Sequence, residues 1–215
     1  SPFLAACRRE STSYTPVWLM RQAGRYMEEY RKLRAQYGFL DLCKNSDLAA
    51  EVTVTPVAKL GVDAAILFAD ILLLLEPMGV GLEYTKEDGP VIHSQISSRT
   101  DVEQLEEFDP REALPFVFDT VRKSCAALNG RAPLIGFAAA PFTLASYLVE
   151  GGGSRNYLKT KKLIYSNPGA WRGLMQRLSS VTAEYLHAQI AAGADAVQLF
   201  DISSGCLSPD DYEPH

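Results

Sequence analysis

The sequence predicts an α/β fold of the (β/α)8 TIM-barrel type. An internal repeat supports this prediction, because residues 61–70 are echoed by residues 193–201. Each copy has a glycine that ends a helix, a nearly continuous apolar run of strand length, and an aspartate at the end of that run. Such runs are typical of parallel strands buried on both faces, and helix–strand repeats favour a parallel sheet. The acidic strand ends favour a barrel, in which chemistry lies at the carboxyl ends of the strands.

Composition and charge fit one globular domain, which we assign to residues 1–215. Of the 215 residues, 47% are hydrophobic and 22% are charged, which are ordinary values for a globular protein. The net charge of −5 argues against nucleic acid or an anionic membrane as a partner. No apolar run reaches the roughly 18 residues of a membrane-spanning helix. The four cysteines lack the CxxC spacing of zinc sites, so we expect free thiols in a reducing compartment.

The first part of the chain is predicted to contain two strands and two helices. A short apolar run at residues 17–20 has strand character, and a helix is expected at residues 27–36. Asn45 or Ser46 is expected to cap a second helix that reaches residue 59. Pro56 lies inside that helix and is expected to kink or divide it. The second strand is predicted at residues 63–68.

The remainder is predicted to alternate helices and strands after one hairpin. An Asp88-Gly89 pair between residues 81–85 and 90–93 favours a hairpin turn. Two capping-box patterns, at residues 100–103 and 109–112, are expected to open a short helix and then a longer one that reaches residue 128. Further strands are predicted at residues 134–139 and 196–200, and further helices at residues 141–150 and 168–192.

The most distinctive polar segment is the run Pro-Val-Trp-Leu-Met-Arg-Gln-Ala-Gly-Arg at residues 16–25. Arg21 and Arg25 lie four positions apart, and Gly24 allows a tight bend or the close approach of a ligand. Each guanidinium presents a planar fork that matches a carboxylate or a phosphate, so the pair favours an anion-binding site. The alternative is a pair of surface arginines that bind Glu28 or Glu29. The spacing alone does not decide between these interpretations.

This run resembles the N-terminal signature of the uroporphyrinogen decarboxylase family, Pro-x-Trp-x-Met-Arg-Gln-Ala-Gly-Arg, at every specified position. Residues 136–152 resemble the second signature of the family, Gly-x-Phe followed by Pro-Phe-Thr-Leu-x-x-Tyr-x-x-Glu-Gly-Gly. The resemblance extends from about residue 16 to residue 209, which is nearly the whole chain.

The resemblance implies a carboxy-lyase of porphyrin and haem biosynthesis. Members of the family remove carbon dioxide from the four acetate side chains of uroporphyrinogen, a tetrapyrrole with eight carboxylates, to give coproporphyrinogen. They use no metal and no organic cofactor. The resemblance also implies a homodimer in the cytoplasm that binds this small molecule and neither nucleic acid nor membrane. A plastid location stays open, because the sequence lacks an initiator methionine and its start is expected to be trimmed.

The same resemblance assigns catalytic roles to Asp70, Arg21, Arg25 and Tyr147. Asp70 would accept hydrogen bonds from the pyrrole N–H groups, the arginines would hold peripheral carboxylates, and Tyr147 would bond near the departing acetate. The residues alone leave other interpretations open, since Asp70 could cap the next segment and Tyr147 could be a core tyrosine. The general acid is not assigned. The implied substrate-binding residues are Arg21, Gln22, Ala23, Gly24, Arg25, Asp70, Tyr147 and Ile202.

The sequence departs from the family pattern in two places. It reads Phe-Asp-Ile-Ser-Ser-Gly at residues 200–205 where the family has Phe-(Asp/Glu)-Ser-(Trp/His)-Ala-Gly. Ile202 therefore stands where the family has a serine that contacts substrate, unless the loop shifts by one residue and supplies Ser203. The sequence also ends at Pro214-His215, before the remaining strands and a late histidine of the family. We therefore expect only the N-terminal part of the barrel, C-terminally incomplete, and no activity from residues 1–215 alone.

Two alternatives to a decarboxylase stay open. One is a truncated tetrapyrrole-binding relative without activity. The other is a related barrel methyltransferase that acts on corrinoids or folates, a class that needs a zinc cluster of histidine and cysteine. The sequence does not favour such a cluster, because His187 has no second ligand nearby. Residues 151–154 are rich in glycine but follow a helix instead of a strand, which argues against a phosphate-binding loop.

Overall fold

The computed structural model describes residues 1–85 and 89–212. Asp88 of the predicted hairpin turn and the terminal Pro214-His215 lie outside the described residues. The helices are α1 (Pro2–Cys7), α2 (Glu28–Gln36), α3 (Phe39–Lys44), α4 (Ser46–Leu60), α5 (Arg99–Glu103), α6 (Pro110–Ala113), α7 (Pro115–Leu128), α8 (Pro141–Glu150), α9 (Leu158–Ser166), α10 (Pro168–Ala192) and α11 (Pro209–Tyr212). The strands are β1 (Ala65–Ile66), β2 (Leu82–Thr85), β3 (Gly89–Ile92), β4 (Leu134–Ala139) and β5 (Ala196–Phe200), and two 3-10 helices cover Leu73–Met78 and Ser204–Cys206.

The contacts of the chain group it into two units. Unit 1 comprises Ser1–Asp70, Leu114–Phe137 and Leu186–Gln198. Unit 2 comprises Ile71–Ala113, Ala138–Tyr185 and Leu199–His215. The assignment of a single domain to residues 1–215 stays a prediction.

Strand β4 lies between β1 and β5 in a three-stranded parallel sheet. Ala65 of β1 pairs in parallel with Leu134 of β4. At the other side of β4, Asp195 N donates to Leu134 O (2.9 Å) and Ala140 N donates to Phe200 O (2.8 Å), so β5 is parallel as well. The strands predicted at residues 134–139 and 196–200 are confirmed. Strands β1 and β4 are buried at every residue, whereas β5 alternates half-buried with exposed residues.

A buried glutamine side chain completes the pairing of β4. Gln189 is fully buried on α10. Its Oε1 accepts from Phe137 N and its Nε2 donates to Phe137 O, both at 2.8 Å. A Cβ at Gly136 would approach Gln189 Oε1 to 2.5 Å, so the glycine in the middle of the strand makes room for this amide. The helix that precedes β5 is thereby bonded to the backbone of β4.

The internal repeat has a structural counterpart in unit 1. Gly61 and Gly193 each end a helix with positive φ, 65° and 121°, and each is followed two residues later by an aspartate that binds the backbone of a neighbouring segment. Asp63 Oδ2 accepts from Val17 N (2.7 Å), and Asp195 Oδ2 accepts from Leu134 N (2.8 Å). The repeat therefore encodes the same junction twice: a helix stop, then a carboxylate that accepts a backbone N–H of a neighbouring segment.

The prediction of a strand at residues 17–20 is wrong. The segment is irregular, and the side chains of Val17, Leu19 and Met20 are about half exposed, at 50%, 49% and 54%. Val17 bonds through its N–H to the Asp63 carboxylate and through its carbonyl to Asp63 N (2.8 Å). A contact with one residue fixes the segment at one point but does not form a ladder.

Several helix boundaries differ from prediction for identifiable reasons. Pro56 lies inside α4 without ending it. An unpredicted break falls at Leu114, before α7, because Leu114 precedes Pro115 and a residue before proline disfavours the helical conformation. The capping box of α5 uses Ser98 and Asp101, two residues before the predicted pair. Asn45 caps α4 as predicted, with Oδ1 3.2 Å from both Asp47 N and Leu48 N.

Within the described residues, no helix is long and apolar enough to cross a membrane.

The glycine-rich residues after α8 form a packing contact with the hairpin in unit 2. Strands β2 and β3 pair antiparallel, as predicted. Ile92 N donates to Gly151 O (2.9 Å), and Val91 forms an isolated bridge with Gly152. Gly151 has a φ of 87°, and a Cβ there would overlap Gln95 Nε2. Glycine at residue 151 therefore both ends α8 and admits the segment that follows β3.

Burial governs the chemistry of one cysteine in unit 1. All four cysteines are free thiols, and Cys43 is the buried one. Burial raises the pKa of the Cys43 thiol well above its usual value, and the negative charge of Asp70 raises it further. The thiol of Cys43 is therefore protonated at neutral pH, and the Asp70 carboxylate lies close enough to influence it.

We predict that Gly151→Ala lowers the free energy of unfolding by about 1–2 kcal/mol, the cost of a left-handed backbone for a residue with a Cβ. The matched control is Gly153→Ala, because Gly153 has no positive φ and a Cβ there would meet nothing within 4 Å. Urea unfolding of both variants measures the difference. Equal stabilities would contradict the assigned role of Gly151.

We predict a Cys43-dependent loss of stability as the pH rises above about 8.5, the ordinary pKa of an unfolded cysteine. Above that pH the unfolded chain loses the thiol proton while the folded chain keeps it, so ionisation favours unfolding by up to about 1.4 kcal/mol per pH unit. Urea unfolding at pH 7.5, 8.5 and 9.5 should show a shallower decline for Cys43→Ala than for the unaltered chain. Parallel declines would show that this thiol ionises equally in both states.

Candidate functional site

The two arginines lie on an irregular loop, residues 19–27, which we call the arginine loop. Gln22 anchors it, with only 1% of its surface exposed. Its Nε2 donates to Ala64 O (3.1 Å) and its Oε1 accepts from Leu19 N (3.2 Å). Ala64 directly precedes β1, so the side chain of Gln22 ties the loop to the start of that strand. Gln22 was predicted to bind substrate, but the oxygen and the nitrogen of its side-chain amide are both hydrogen-bonded to the backbone.

Backbone contacts fix the second half of the arginine loop. Arg31 Nη1 donates to Arg25 O (2.9 Å) and to Tyr26 O (2.8 Å). The Tyr26 hydroxyl donates to Gln22 O, and Met27 N donates to Gly24 O (2.9 Å). The loop that carries Arg21 and Arg25 is therefore held by its own main chain, and the positions of the two arginines do not depend on their guanidinium groups.

The alternative interpretation paired Arg21 and Arg25 with Glu28 or Glu29, but both carboxylates have other partners. Glu28 pairs with Lys32 (2.8 Å), and Glu29 pairs with Lys59. Both arginines are exposed, and among the described residues of unit 1 neither forms an ion pair. Two cations are thus left available to an anion from outside the unit.

The remaining predicted residues of the arginine loop have local roles. Ala23 lines a small crevice beside α2 and α4, together with Met27 and Val52. Gly24 does not have a positive φ, and a Cβ there would make ordinary contacts with the Tyr26 ring at 3.4 Å. The loop therefore does not require glycine for its backbone conformation.

Asp70 follows β1 in a segment whose start is pinned to helix α4. Phe68 N donates to Thr53 Oγ1 (2.9 Å) on that helix. The Phe68 ring meets Tyr30 and Phe39 edge to face, at centroid distances of 5.7 and 6.1 Å. Asp70 is half-buried, and the N-cap of the following 3-10 helix is Leu72. In unit 1 the arginine loop is therefore bonded to the residue directly before β1, and the Asp70 segment follows the end of β1.

Tyr147 lies half-buried on α8 in unit 2. It shares a helix face with Thr143, four residues earlier. Thr143 and Ser146 are fully buried hydroxyl residues of the same helix. Neither residue was among the site residues predicted from the sequence. The available signal was their spacing of three residues, which places two hydroxyl groups on one face of the helix.

These hydroxyl groups hold the loop after β5, residues 201–204, which we call the β5 loop. Thr143 Oγ1 donates to Asp201 Oδ1 (3.1 Å) and accepts from Ile202 N (3.0 Å). Ser146 Oγ lies 3.3 Å from Ser203 Oγ. Ser203 is buried, whereas the Ile202 side chain is 56% exposed. In unit 2, Tyr147 therefore lies on the helix that holds the β5 loop, and in that loop Asp201 and Ile202 are exposed while Ser203 is buried.

Glu150, the acidic residue of the second signature, has a structural role. Its Oε1 accepts from Thr160 N and Thr160 Oγ1, both at 2.8 Å. Thr160 lies in the first turn of α9, so Glu150 satisfies an N–H group that a helix start leaves unpaired. Within the described residues, no group of three or more histidine, cysteine, aspartate and glutamate side chains could hold a metal ion.

Comparison with known proteins relates the whole chain to one family. The profile described as uroporphyrinogen decarboxylase (URO-D) matches residues 1–215. The uroporphyrinogen decarboxylase of Carboxydothermus hydrogenoformans is 55% identical over 213 residues, which are 99% of this chain and 61% of that protein. The corresponding protein of Sorangium cellulosum is 58% identical over 213 residues, with the same coverage of 99% and 61%. The chain thus spans about three fifths of the length of these curated relatives.

A solved structure shows the same fold. A methyltransferase from Methanosarcina mazei superimposes with a TM-score of 0.80 at 20% sequence identity, over 99% of this chain and 62% of that one. At this identity the likeness concerns the fold alone, and it confirms the predicted α/β barrel type. The match along all 215 residues and the relatives that are 55% and 58% identical show that the chain belongs to the uroporphyrinogen decarboxylase family.

Proposed function

We propose that this chain takes part in the cofactor-free removal of carbon dioxide from the acetate side chains of uroporphyrinogen, which gives coproporphyrinogen. The observation that carries the proposal is the arginine loop, which offers two exposed guanidinium groups while Glu28 and Glu29 are paired with lysines. Family membership and relatives of that name support the same reaction. The substrate has eight carboxylates, so a pair of available cations suits it. We further propose that the protein is a cytoplasmic homodimer. Sedimentation equilibrium would measure the mass of the assembly.

Arg21 and Arg25 bind peripheral carboxylates of the substrate in this proposal. A hydrogen bond between charged groups contributes about 1.5–3 kcal/mol. The side chains of Gln22 and Arg31 already hold the loop in place through bonds to backbone carbonyl groups. Substrate binding therefore loses little conformational entropy of the main chain. The net charge of the chain is −5, so the local positive charge of the loop would direct an anion to this part of the surface.

Asp70 stabilises the positive charge that develops during decarboxylation. A proton adds to a pyrrole carbon next to the acetate, and the ring becomes a cation. The bond to the carboxyl carbon then breaks, its electron pair moves into the ring, and carbon dioxide leaves. Protonation of the resulting methylene and loss of the ring proton give a methyl group, so one proton replaces one carbon dioxide. A carboxylate that accepts the pyrrole N–H bonds favours the cationic ring, and Tyr147 donates a hydrogen bond near the departing group.

The decisive experiment measures carbon dioxide release and product carboxylate number with uroporphyrinogen. It compares the 215-residue chain with a version extended at its C-terminus by the sequence of a family relative. We expect stepwise conversion to the four-carboxylate product by the extended version. Tight binding without carbon dioxide release would favour a non-catalytic tetrapyrrole-binding relative, and absence of both binding and turnover would reject the proposal.

We predict that Asp70→Asn lowers turnover of the extended protein by roughly 100-fold or more, the effect of removing one preorganised electrostatic group. The amide has nearly the same shape, but it presents an N–H donor to N–H donors and carries no charge. Asp119→Asn, which changes a half-exposed aspartate paired with Arg122, is the matched control and should keep full activity. Near-normal turnover by Asp70→Asn would remove this residue from the mechanism.

We predict that Arg21→Ala and Arg25→Ala each weaken substrate affinity by roughly 10- to 150-fold, the loss of one charge-assisted bond. Their free energies of unfolding should change by less than about 0.5 kcal/mol, as for exposed positions in general. Gln22→Ala should behave differently, because it leaves Ala64 O and Leu19 N unpaired and costs about 1–3 kcal/mol of stability.

Binding isotherms and urea unfolding of these three variants separate the two roles. Arginine variants that lose stability but retain affinity would favour a structural role for the loop cations.

A further inference from the structure

One buried hydroxyl group joins helix α8 to the β5 loop. Thr143 Oγ1 donates to the Asp201 carboxylate (3.1 Å) and accepts from the backbone N–H of Ile202 (3.0 Å). Thr143 is fully buried and the two bonds are partly buried, so the loss of either partner would leave a buried hydroxyl group less well satisfied. A single side-chain oxygen therefore satisfies both a carboxylate and a main-chain amide of the same loop.

The other contacts of the β5 loop converge on the same carboxylate oxygen. Asp201 Oδ1 also accepts from Ser204 N (3.2 Å) and, at a longer distance, from Ser203 N (3.4 Å). Among the described residues of unit 2, Asp201 Oδ2 makes no hydrogen bond. The bond from Thr143 thus fixes which oxygen of Asp201 turns inward and which remains available.

The helix that carries Thr143 also carries Tyr147, one turn further along. Residues four apart on a helix lie on one face, so the hydroxyl that holds the β5 loop and the phenol of Tyr147 belong to one rigid element. Ser146, between them in sequence, adds its contact with Ser203. The β5 loop cannot move relative to Tyr147 without breaking the bonds of Thr143.

We infer that Thr143 is a positioning residue, whose hydroxyl holds Asp201 and Ile202 in register with Tyr147. Thr143 is buried and acts through the β5 loop without meeting the substrate itself. Its expected effect on turnover rests on the proposed decarboxylation, while its effect on the β5 loop does not. Because one oxygen serves as donor and acceptor at once, serine can replace threonine here and valine cannot, although valine matches its shape.

The first measurement is backbone hydrogen exchange at residues 202–204 in Thr143→Val, Thr143→Ser and the unaltered chain. We expect exchange at these amides to rise by about tenfold in Thr143→Val, as expected for one lost hydrogen bond, and to stay near normal in Thr143→Ser. The matched control is Thr120→Val. Thr120 is also buried, but its hydroxyl bonds only within its helix, to Phe116 O (2.8 Å), so exchange in the β5 loop should not change.

The second measurement is turnover of the same variants in the extended protein. We expect kcat to fall by roughly tenfold or more in Thr143→Val, since small misplacements of reacting groups cost up to about 100-fold. Products that retain five, six or seven carboxylates should accumulate, and KM should change less than kcat. Thr143→Ser should restore at least about half of the activity, because it restores both hydrogen bonds. A merely structural role would lower the amount of folded protein and leave kcat per folded molecule unchanged.

Each result decides a separate point. Unchanged exchange at residues 202–204 in Thr143→Val would overturn the inference at the level of the loop. Faster exchange with normal kcat would overturn it at the level of the reaction. If the unaltered extended protein has no turnover, the proposed function fails, and hydrogen exchange still decides whether Thr143 holds the β5 loop.

Discussion

The complete burial of strand β4 is the constraint on which much of the structure depends. Every residue of β4 is buried, so each of its N–H and C=O groups needs a partner inside the protein. Strands β1 and β5 supply part of the pairing, and side chains add to it. The Asp195 carboxylate takes the first N–H of the strand, and the Gln189 amide binds both polar groups of Phe137. Helix α10 and strand β5 are therefore fixed by the same requirement that buries β4.

Side-chain amides and carboxylates repeatedly replace missing strand partners in this chain. Gln22 binds Ala64 O in the way that Gln189 binds Phe137, and Asp63 binds Val17 N in the way that Asp195 binds Leu134 N. A buried backbone group left unpaired costs about 1–3 kcal/mol, so the buried bonds to Ala64 O and Phe137 O prevent a substantial loss. The arginine loop can consequently be irregular and still be held in place, and its cations remain available because no fold contact depends on them.

Each unit combines rigid support with polar groups that the unit itself does not use. In unit 1, the acidic neighbours of the arginine loop are occupied by Lys32 and Lys59, which leaves Arg21 and Arg25 to an external anion. In unit 2, the Asp201 carboxylate uses one oxygen for the β5 loop and keeps the other. Groups held in this way need little reorganisation when a ligand arrives, which is the property that electrostatic stabilisation requires.

The sequence by itself determined the fold class, the strands at residues 134–139 and 196–200 and the family, because hydrophobic periodicity, helix-ending glycines and the two signatures are local properties of the chain. Tertiary structure alone decided that residues 17–20 form no ladder, that Glu28 and Glu29 bind lysines, and that the Gln22 amide serves the backbone. It also revealed Thr143, whose partners lie 58 and 59 residues away. The physical reason is that a side chain with two hydrogen-bonding groups can serve a ligand or the main chain, and only the folded neighbours determine which of these it binds.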